Sequence, residues 1–219
     1  MKAVLFDMDG TMLKTENIAI PAFQMTFAEL RKRGLYSGET PSEEKFLKQL
    51  GNTLEAIWET ILPNTDWETR LLADRIMLES ELEIIRSGGL TFFPGVEDTL
   101  RLLKKKGYDL FVASNGLENY ISAIVEHSGF GELFTDLYSA GRFQTKTKVD
   151  LVAKLLRDYP VTTGYMVGDR KSDVEAGIKN NLPTIGCLFG YGGQKELEGA
   201  TYIIESFSEL PAIIQLIAA

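Results

Sequence analysis

Short apolar runs recur along the chain with helix-length segments between them, and this alternation limits the fold more than any other feature. The runs are Ala3 to Phe6, Leu110 to Ala113, Leu137 to Ser139, Tyr165 to Val167, Thr184 to Leu188 and Tyr202 to Ile204. Runs of four or five apolar residues bounded by Gly, Asp or Asn fit strands buried on both faces. Amphipathic stretches lie between them. Val96 to Lys106 repeats Leu at 100, 102 and 103 and stops at Gly107, and Val149 to Arg157 and Asp173 to Lys179 are similar. Strand–helix alternation predicts a parallel sheet with helices on both faces.

Residues 15 to 88 break this rhythm. Ile20 to Arg33, Ser42 to Leu50, Leu54 to Leu62 and Trp67 to Arg86 read as helices, with Ser42 a cap and Gly34, Gly51, Pro63 and Gly88-Gly89 as punctuation. The segment reads as a helical insert joined to the sheet through residues 14–17 and 86–93, a two-stranded tether suited to a hinge.

The 219 residues suffice for a core domain plus a small insert, and the net charge of −8, without a block of like charges, disfavours a nucleic-acid partner. No apolar run approaches the roughly 18 residues of a membrane span. The chain meets Asp7 too early for a signal peptide, so none is expected. The one cysteine, Cys187, excludes an intrachain disulfide and reads as a buried strand thiol. The expected compartment is the cytoplasm, and the expected state a monomer or small homo-oligomer.

In open α/β sheets, ligands bind at the carboxyl ends of the strands. After the first strand comes Asp7-Met8-Asp9-Gly10-Thr11, after the second Ser114-Asn115-Gly116, after the third Lys146 and Lys148, and after the fourth Gly168-Asp169 with Asp173 beyond. Carboxylates crowded at one edge raise one another's pKa unless a cation sits among them. A hard divalent ion such as magnesium, which prefers oxygen ligands, resolves this and also offsets repulsion between a phosphate dianion and a carboxylate nucleophile. Asp7 and Asp9 are two apart, so on extended backbone they point to the same side. One can attack phosphorus while the other handles the proton of the leaving alcohol. Ser114, Asn115 and nearby backbone N–H groups can hold phosphoryl oxygens, and a lysine can neutralise developing charge. Gly10 permits a sharp turn and close approach to a phosphate.

These residues match a family. Asp7-Met8-Asp9-Gly10-Thr11 resembles the first motif of the haloacid dehalogenase superfamily, Ser114-Asn115 the second, the lysine region the third, and Gly168-Asp169 with Asp173 the fourth. Pro94-Gly95, Gly190-Tyr191-Gly192 and Ser208-Glu209-Leu210 are also similar to this group, and the order holds across nearly the whole chain. The resemblance is to the branch with a helical cap, the phosphoglycolate phosphatase and β-phosphoglucomutase-like group. It implies a Rossmann-like three-layer α/β core with a parallel sheet and an inserted all-helical cap, with the core at residues 1–14 and 90–219 and the cap at 15–89. It implies Asp7 as nucleophile and metal ligand. Asp9 would be the general acid and then base, lending its backbone carbonyl to the metal. Asp169 and Asp173 would be further ligands of Mg2+. Thr11, Ser114, Asn115 and Gly116 would bind substrate. The third-motif lysine is taken as Lys148, with Lys146 open as the alternative. In the cap, Gly51 and Asn52 would face substrate, with Thr53 and Lys48 nearby.

The implied reaction is hydrolysis of a small phosphorylated metabolite through an aspartyl-phosphate. The dehalogenases proper lack an aspartate where Asp9 stands, so its presence favours phosphate chemistry. A phosphomutase, a phosphonatase using Lys48, or a non-catalytic phospholigand-binding protein are the rival readings. His127 and the basic clusters Arg31 to Arg33 and Lys104 to Lys106 read as surface residues near helix ends. Trp58 and Trp67 read as cap core, and Asp169 and Asp173 could merely cap a helix.

Overall fold

A computed structural model describes residues 1–49, 52 and 54–218, with the side chains of residues 54 and 55 outside that description. The strands are β1 (Lys2–Phe6), β2 (Asp109–Ser114), β3 (Phe134–Ser139), β4 (Thr163–Gly168), β5 (Thr184–Cys187) and β6 (Tyr202–Ile204). They form one parallel sheet in the order β3-β2-β1-β4-β5-β6. The chain thus starts in the middle of the sheet, builds outward on one side and then on the other. β1 lies between β2 and β4, with Phe6 opposite both Val112 and Val167.

Alternation along the strands divides their side chains between two faces. Val4 and Phe6 of β1 join Leu110, Val112, Tyr165 and Val167 in one buried cluster. Helices α5 (Val96–Lys105), α6 (Glu118–His127) and α11 (Leu210–Ile217) cover that face. Ala3 and Leu5 face the other way, with Phe111, Ala113 and Met166, beneath α8 (Lys148–Asp158) and α9 (Lys171–Lys179). Two short helices, α7 (Ala140–Phe143) and α10 (Gly193–Glu196), complete this part of the chain. With both faces covered, the interiors of the central strands β1, β2 and β4 are apolar, which is why each reads as a continuous run. Cys187 is a buried strand residue.

Between β1 and α5 lie α1 (Glu16–Lys32), α2 (Glu43–Leu47), α3 (Leu54–Ile61) and α4 (Trp67–Arg86). They share a separate core in which Phe23 stacks on Phe46 at 4.2 Å and Trp58 donates its indole N–H to Asp74 at 3.0 Å. The two connections to the sheet pair with each other: Lys14 N–H bonds Thr91 C=O and Phe93 N–H bonds Met12 C=O.

Three local expectations need correction. Trp67 is half exposed, because it opens α4 ahead of the buried stripe of Thr69, Ala73, Ile76, Met77 and Ser80. α1 begins at Glu16, ahead of the expected start at Ile20, and carries Pro21 inside. α8 begins at Lys148 itself, capped by Thr147, whose hydroxyl oxygen accepts from Asp150 N–H. Among the described residues no helix is long and apolar enough to cross a membrane.

Candidate active site

The carboxyl ends of β1 and β4, with the first turn of α9, bring the acidic residues together. Asp7 follows β1 directly and its N–H bonds Val167 C=O at 2.9 Å, which ties it to β4. Asp169 follows β4, and Asp173 lies in the first turn of α9. One carboxylate oxygen each from Asp7, Asp169 and Asp173 lies within 4.8 Å of the others, and all three residues are buried. An all-oxygen, all-carboxylate donor set of this size suits a hard divalent cation such as magnesium.

Lys148 is the cation of the cluster. Its ammonium donates to Asp7 Oδ1 at 2.6 Å and Asp173 Oδ1 at 2.5 Å, and it is almost wholly buried. Lys146 is exposed, so of the two lysines only Lys148 reaches the carboxylates. Position within the first turn of α8 aims it inward, since side chains of one helix face recur every three to four residues and Leu151, Val152 and Leu155 are buried with it. Asp173 does two things at once: Oδ1 meets Lys148 while Oδ2 accepts Arg170 N–H at 2.9 Å, closing the first turn of α9.

Asp169 is held from both sides. Thr11 hydroxyl donates to its Oδ1 at 3.2 Å and Tyr191 N–H to its Oδ2 at 2.7 Å. Thr11 is fully buried in this role, and its side chain is not among those lining the adjoining cleft. Gly10 has φ +81°, and a Cβ there would lie 2.5 Å from Asp169 Oδ2. The close approach that requires glycine is therefore to Asp169, where a phosphate was expected.

Asp9 is oriented by residues the sequence did not point to. Thr15 hydroxyl donates to its Oδ1 at 2.7 Å and Tyr120 hydroxyl to the same atom at 2.8 Å. That arrangement leaves Oδ2 to carry a proton. Thr15 stands at the N-cap of α1 but makes no capping bond with its side chain, because its hydroxyl is turned to Asp9. Tyr191 closes the far side: its hydroxyl and the Glu16 carboxylate are hydrogen-bonded. The Gly190-Tyr191-Gly192 run was the available signal for that loop, whereas nothing local marked Thr15 or Tyr120.

Burial governs the charges. It pushes the Asp7 carboxyl well above the usual range; Lys148 opposes this, and Asp173, Asp169 and Asp9 reinforce it. Asp9 is raised by burial, partly countered by its bonds from Thr15 and Tyr120. Asp169 is pushed up to about 7 by burial and then by Asp173. For Lys148, burial works against the charge, but the carboxylates of Asp173 and Asp7 outweigh it and keep the ammonium charged. Four carboxylates around one ammonium leave excess negative charge that a bound cation would offset.

Ser114 ends β2, buried, with Oγ accepting Gly116 N–H at 3.1 Å, so its own O–H is available to donate. Ser114, Asn115, Gly116, Asp7, Asp9 and Lys148 all line a cleft between the sheet edge and the helical insert. From the insert, Asn52 reaches this cleft, as do Phe46, Ile57, Asp74, Met77, Leu78 and Glu81. Gly51 and Thr53 lie outside the described residues. Lys48 is exposed and bonded to Glu44 at 2.7 Å, and it does not line the cleft. His127 is exposed at the end of α6, where its Nδ1 meets Ala123 C=O.

Comparison with known proteins agrees with this geometry. Residues 4–187 match the family described as haloacid dehalogenase-like hydrolase. The chain belongs to that family. It is 27% identical over 196 residues to a phosphoglycolate phosphatase of Aquifex aeolicus, covering 87% of this chain and 86% of the relative. It is 23% identical to the pyrophosphatase PpaX of Listeria monocytogenes, covering 97% and 95%. Among solved structures, a predicted phosphatase from Clostridium acetobutylicum superposes with a TM-score of 0.82 at 25% identity, covering 98% of each chain. The family resemblance drawn from the four motifs and the α/β fold with its helical insert are thereby shown.

Proposed function

We propose that this hydrolase is a magnesium-dependent phosphatase that acts on a small phosphate monoester through an aspartyl-phosphate on Asp7. The observation that carries the reading is the buried grouping of Asp7, Asp169 and Asp173 around Lys148, open on one side to a cleft lined by Asp9. Asp7, Asp169 and Asp173 would hold magnesium, with the backbone carbonyl of Asp9. When bound, the ion lowers the repulsion between the phosphate and Asp7 and stabilises charge on the transferring group.

The rest is the work of the chain's own residues. A carboxylate oxygen of Asp7 attacks phosphorus as the bond from phosphorus to the ester oxygen breaks. Asp9 gives its proton to that departing oxygen, so the alcohol leaves neutral. Its raised pKa favours the protonated form that this step needs. Asp9, now a carboxylate, takes a proton from water as that water attacks the phosphoryl group, and Asp7 is released with inorganic phosphate. Lys148 and Ser114, with the backbone beside Asn115 and Gly116, hold the phosphoryl oxygens. We take residues 15–89 as a cap that closes over a core of residues 1–14 and 90–219, excluding bulk water during the reaction and opening for product release.

The relatives named phosphoglycolate phosphatase and pyrophosphatase support phosphate chemistry without selecting a substrate. The test is hydrolysis of p-nitrophenyl phosphate with magnesium and with EDTA. Turnover that needs the metal and disappears in Asp7→Asn is expected. Wild-type turnover by Asp7→Asn would overturn the assignment of the nucleophile.

A further inference from the structure

The insert's contribution to the cleft carries a second message. Asp74, Met77, Leu78 and Glu81 stand at i, i+3, i+4 and i+7 on α4, one continuous helix face turned into the cleft. Two of these four are carboxylates and two are apolar, and Phe46 and Ile57 extend the apolar part. Asp74 is engaged by the Trp58 indole N–H. No hydrogen bond or ion pair joins Glu81 to any described residue. Among the described residues that line this cleft, Lys148 is the single cation, and it is already held by Asp7 and Asp173.

Direction within the cleft follows from Asp9. A general acid must reach the leaving oxygen, so the alcohol departs on the Asp9 side. That is the side of Tyr120, whose hydroxyl binds Asp9, and of Glu81, which feels the Asp9 charge. The cations Lys146, Arg170 and Lys171 line a different opening, beyond Lys148, whose lining does not include Asp9. A group on the alcohol therefore meets Glu81 and an apolar wall, away from those cations.

From this we infer, granting the phosphatase reading above, that the enzyme selects phosphate monoesters whose alcohol carries a protonated amine, with Glu81 as the residue that receives the ammonium, and that it discriminates against esters bearing a second anionic group. An ammonium supplies the charge and the donors that Glu81 lacks. A carboxylate or second phosphate at the same place would lose its hydration against an apolar wall with no cation beside it among the described lining residues, since Lys148 is held by Asp7 and Asp173. The state of Glu81 without ligand agrees: burial, then the charges of Asp9 and Asp74, push its carboxyl up to about 8, as befits a carboxyl with no cation beside it.

O-phosphoethanolamine and phosphoglycolate form a matched pair for the test, two-carbon esters that end in an ammonium and in a carboxylate. Their kcat/KM values are measured on the wild type with magnesium, each relative to p-nitrophenyl phosphate. Their affinities for the Asp7→Asn protein are measured by calorimetry. A charge-assisted contact predicts a roughly ten- to hundredfold preference for the amine in both measurements. Glu81→Gln should bring the ratio towards one, and Glu81→Lys should invert it. Equal use of the two esters, or a preference for phosphoglycolate, by the wild type overturns the inference without any variant. So does a ratio unchanged in Glu81→Gln. If no ester is turned over while the binding preference persists, the phosphatase reading fails and the assignment of Glu81 stands.

Discussion

Replacing Lys148 by methionine keeps the length and apolar stem of the side chain and deletes its charge. In the native protein that charge lies 2.6 Å from Asp7 and 2.5 Å from Asp173, with both carboxylates and the ammonium shielded from water. Removing one partner from a buried ion pair costs about 3–5 kcal/mol, because the remaining charge is left without compensation. In a chain of this size 1 kcal/mol moves Tm by about 2–4 °C, so the metal-free variant should melt about 6–20 °C below the wild type near pH 8. The deficit should shrink at lower pH, where the orphaned carboxyls take up protons. It should also shrink with saturating magnesium, which restores positive charge among Asp7, Asp169 and Asp173. Turnover should fall about 10²–10³-fold even with magnesium, the usual loss when one preorganised charge contact to the transition state is removed. Calorimetric melting in EDTA and in excess magnesium, together with initial rates on p-nitrophenyl phosphate, reads all of this. A variant that melts with the wild type in EDTA would refute the view that Lys148 is the charge that makes this carboxylate cluster tolerable.

Three further outcomes follow from the same geometry. Asp9→Asn should slow the first step, phosphoryl transfer to Asp7 followed as the rapid release of alcohol, by about 10²–10⁴ on alkyl phosphates and much less on p-nitrophenyl phosphate, whose phenolate leaves unaided, while hydrolysis of the shared intermediate slows for both; equal losses in the first step would remove Asp9 from the acid role. Because the Asp169 carboxyl stands at about 7 without metal and at 3.8 ordinarily, the folded protein holds its proton more tightly than the unfolded chain. Metal-free stability should therefore fall as pH rises from about 4 to about 7, and apparent magnesium affinity should climb over the upper part of that window with proton release, both measurable by calorimetry at stepped pH. Gly10→Ala should cost about 1–3 kcal/mol from its positive φ, seen as a lower Tm, and should weaken magnesium binding because the new methyl would lie 2.5 Å from Asp169 Oδ2.

The sheet was legible because its central strands β1, β2 and β4 are buried on both faces, so burial and sequence carry the same signal. The acidic cluster was legible for a related reason: its members sit just past strand ends, where a parallel sheet gathers residues remote in sequence. The supporting residues were not. Thr15 and Tyr120 reach Asp9 from helices whose packing on the sheet edge has no local signature. Lys148 was favoured over Lys146 by its place just ahead of a helix, and the first turn of α8 buries the one and leaves the other exposed. Glu81 was silent in the sequence because a glutamate in a surface-length helix is ordinary. Only the packing of the insert on the core turns that face of α4 into the cleft.

Whether phosphorus becomes covalently attached to Asp7 is open to direct measurement. Wild-type protein mixed with a radiolabelled phosphate monoester and magnesium, quenched in acid within milliseconds and digested, should carry label on the peptide containing Asp7, and Asp7→Asn should carry none. Label on another residue, or multiple turnovers with no labelled protein at any quench time, would contradict the account.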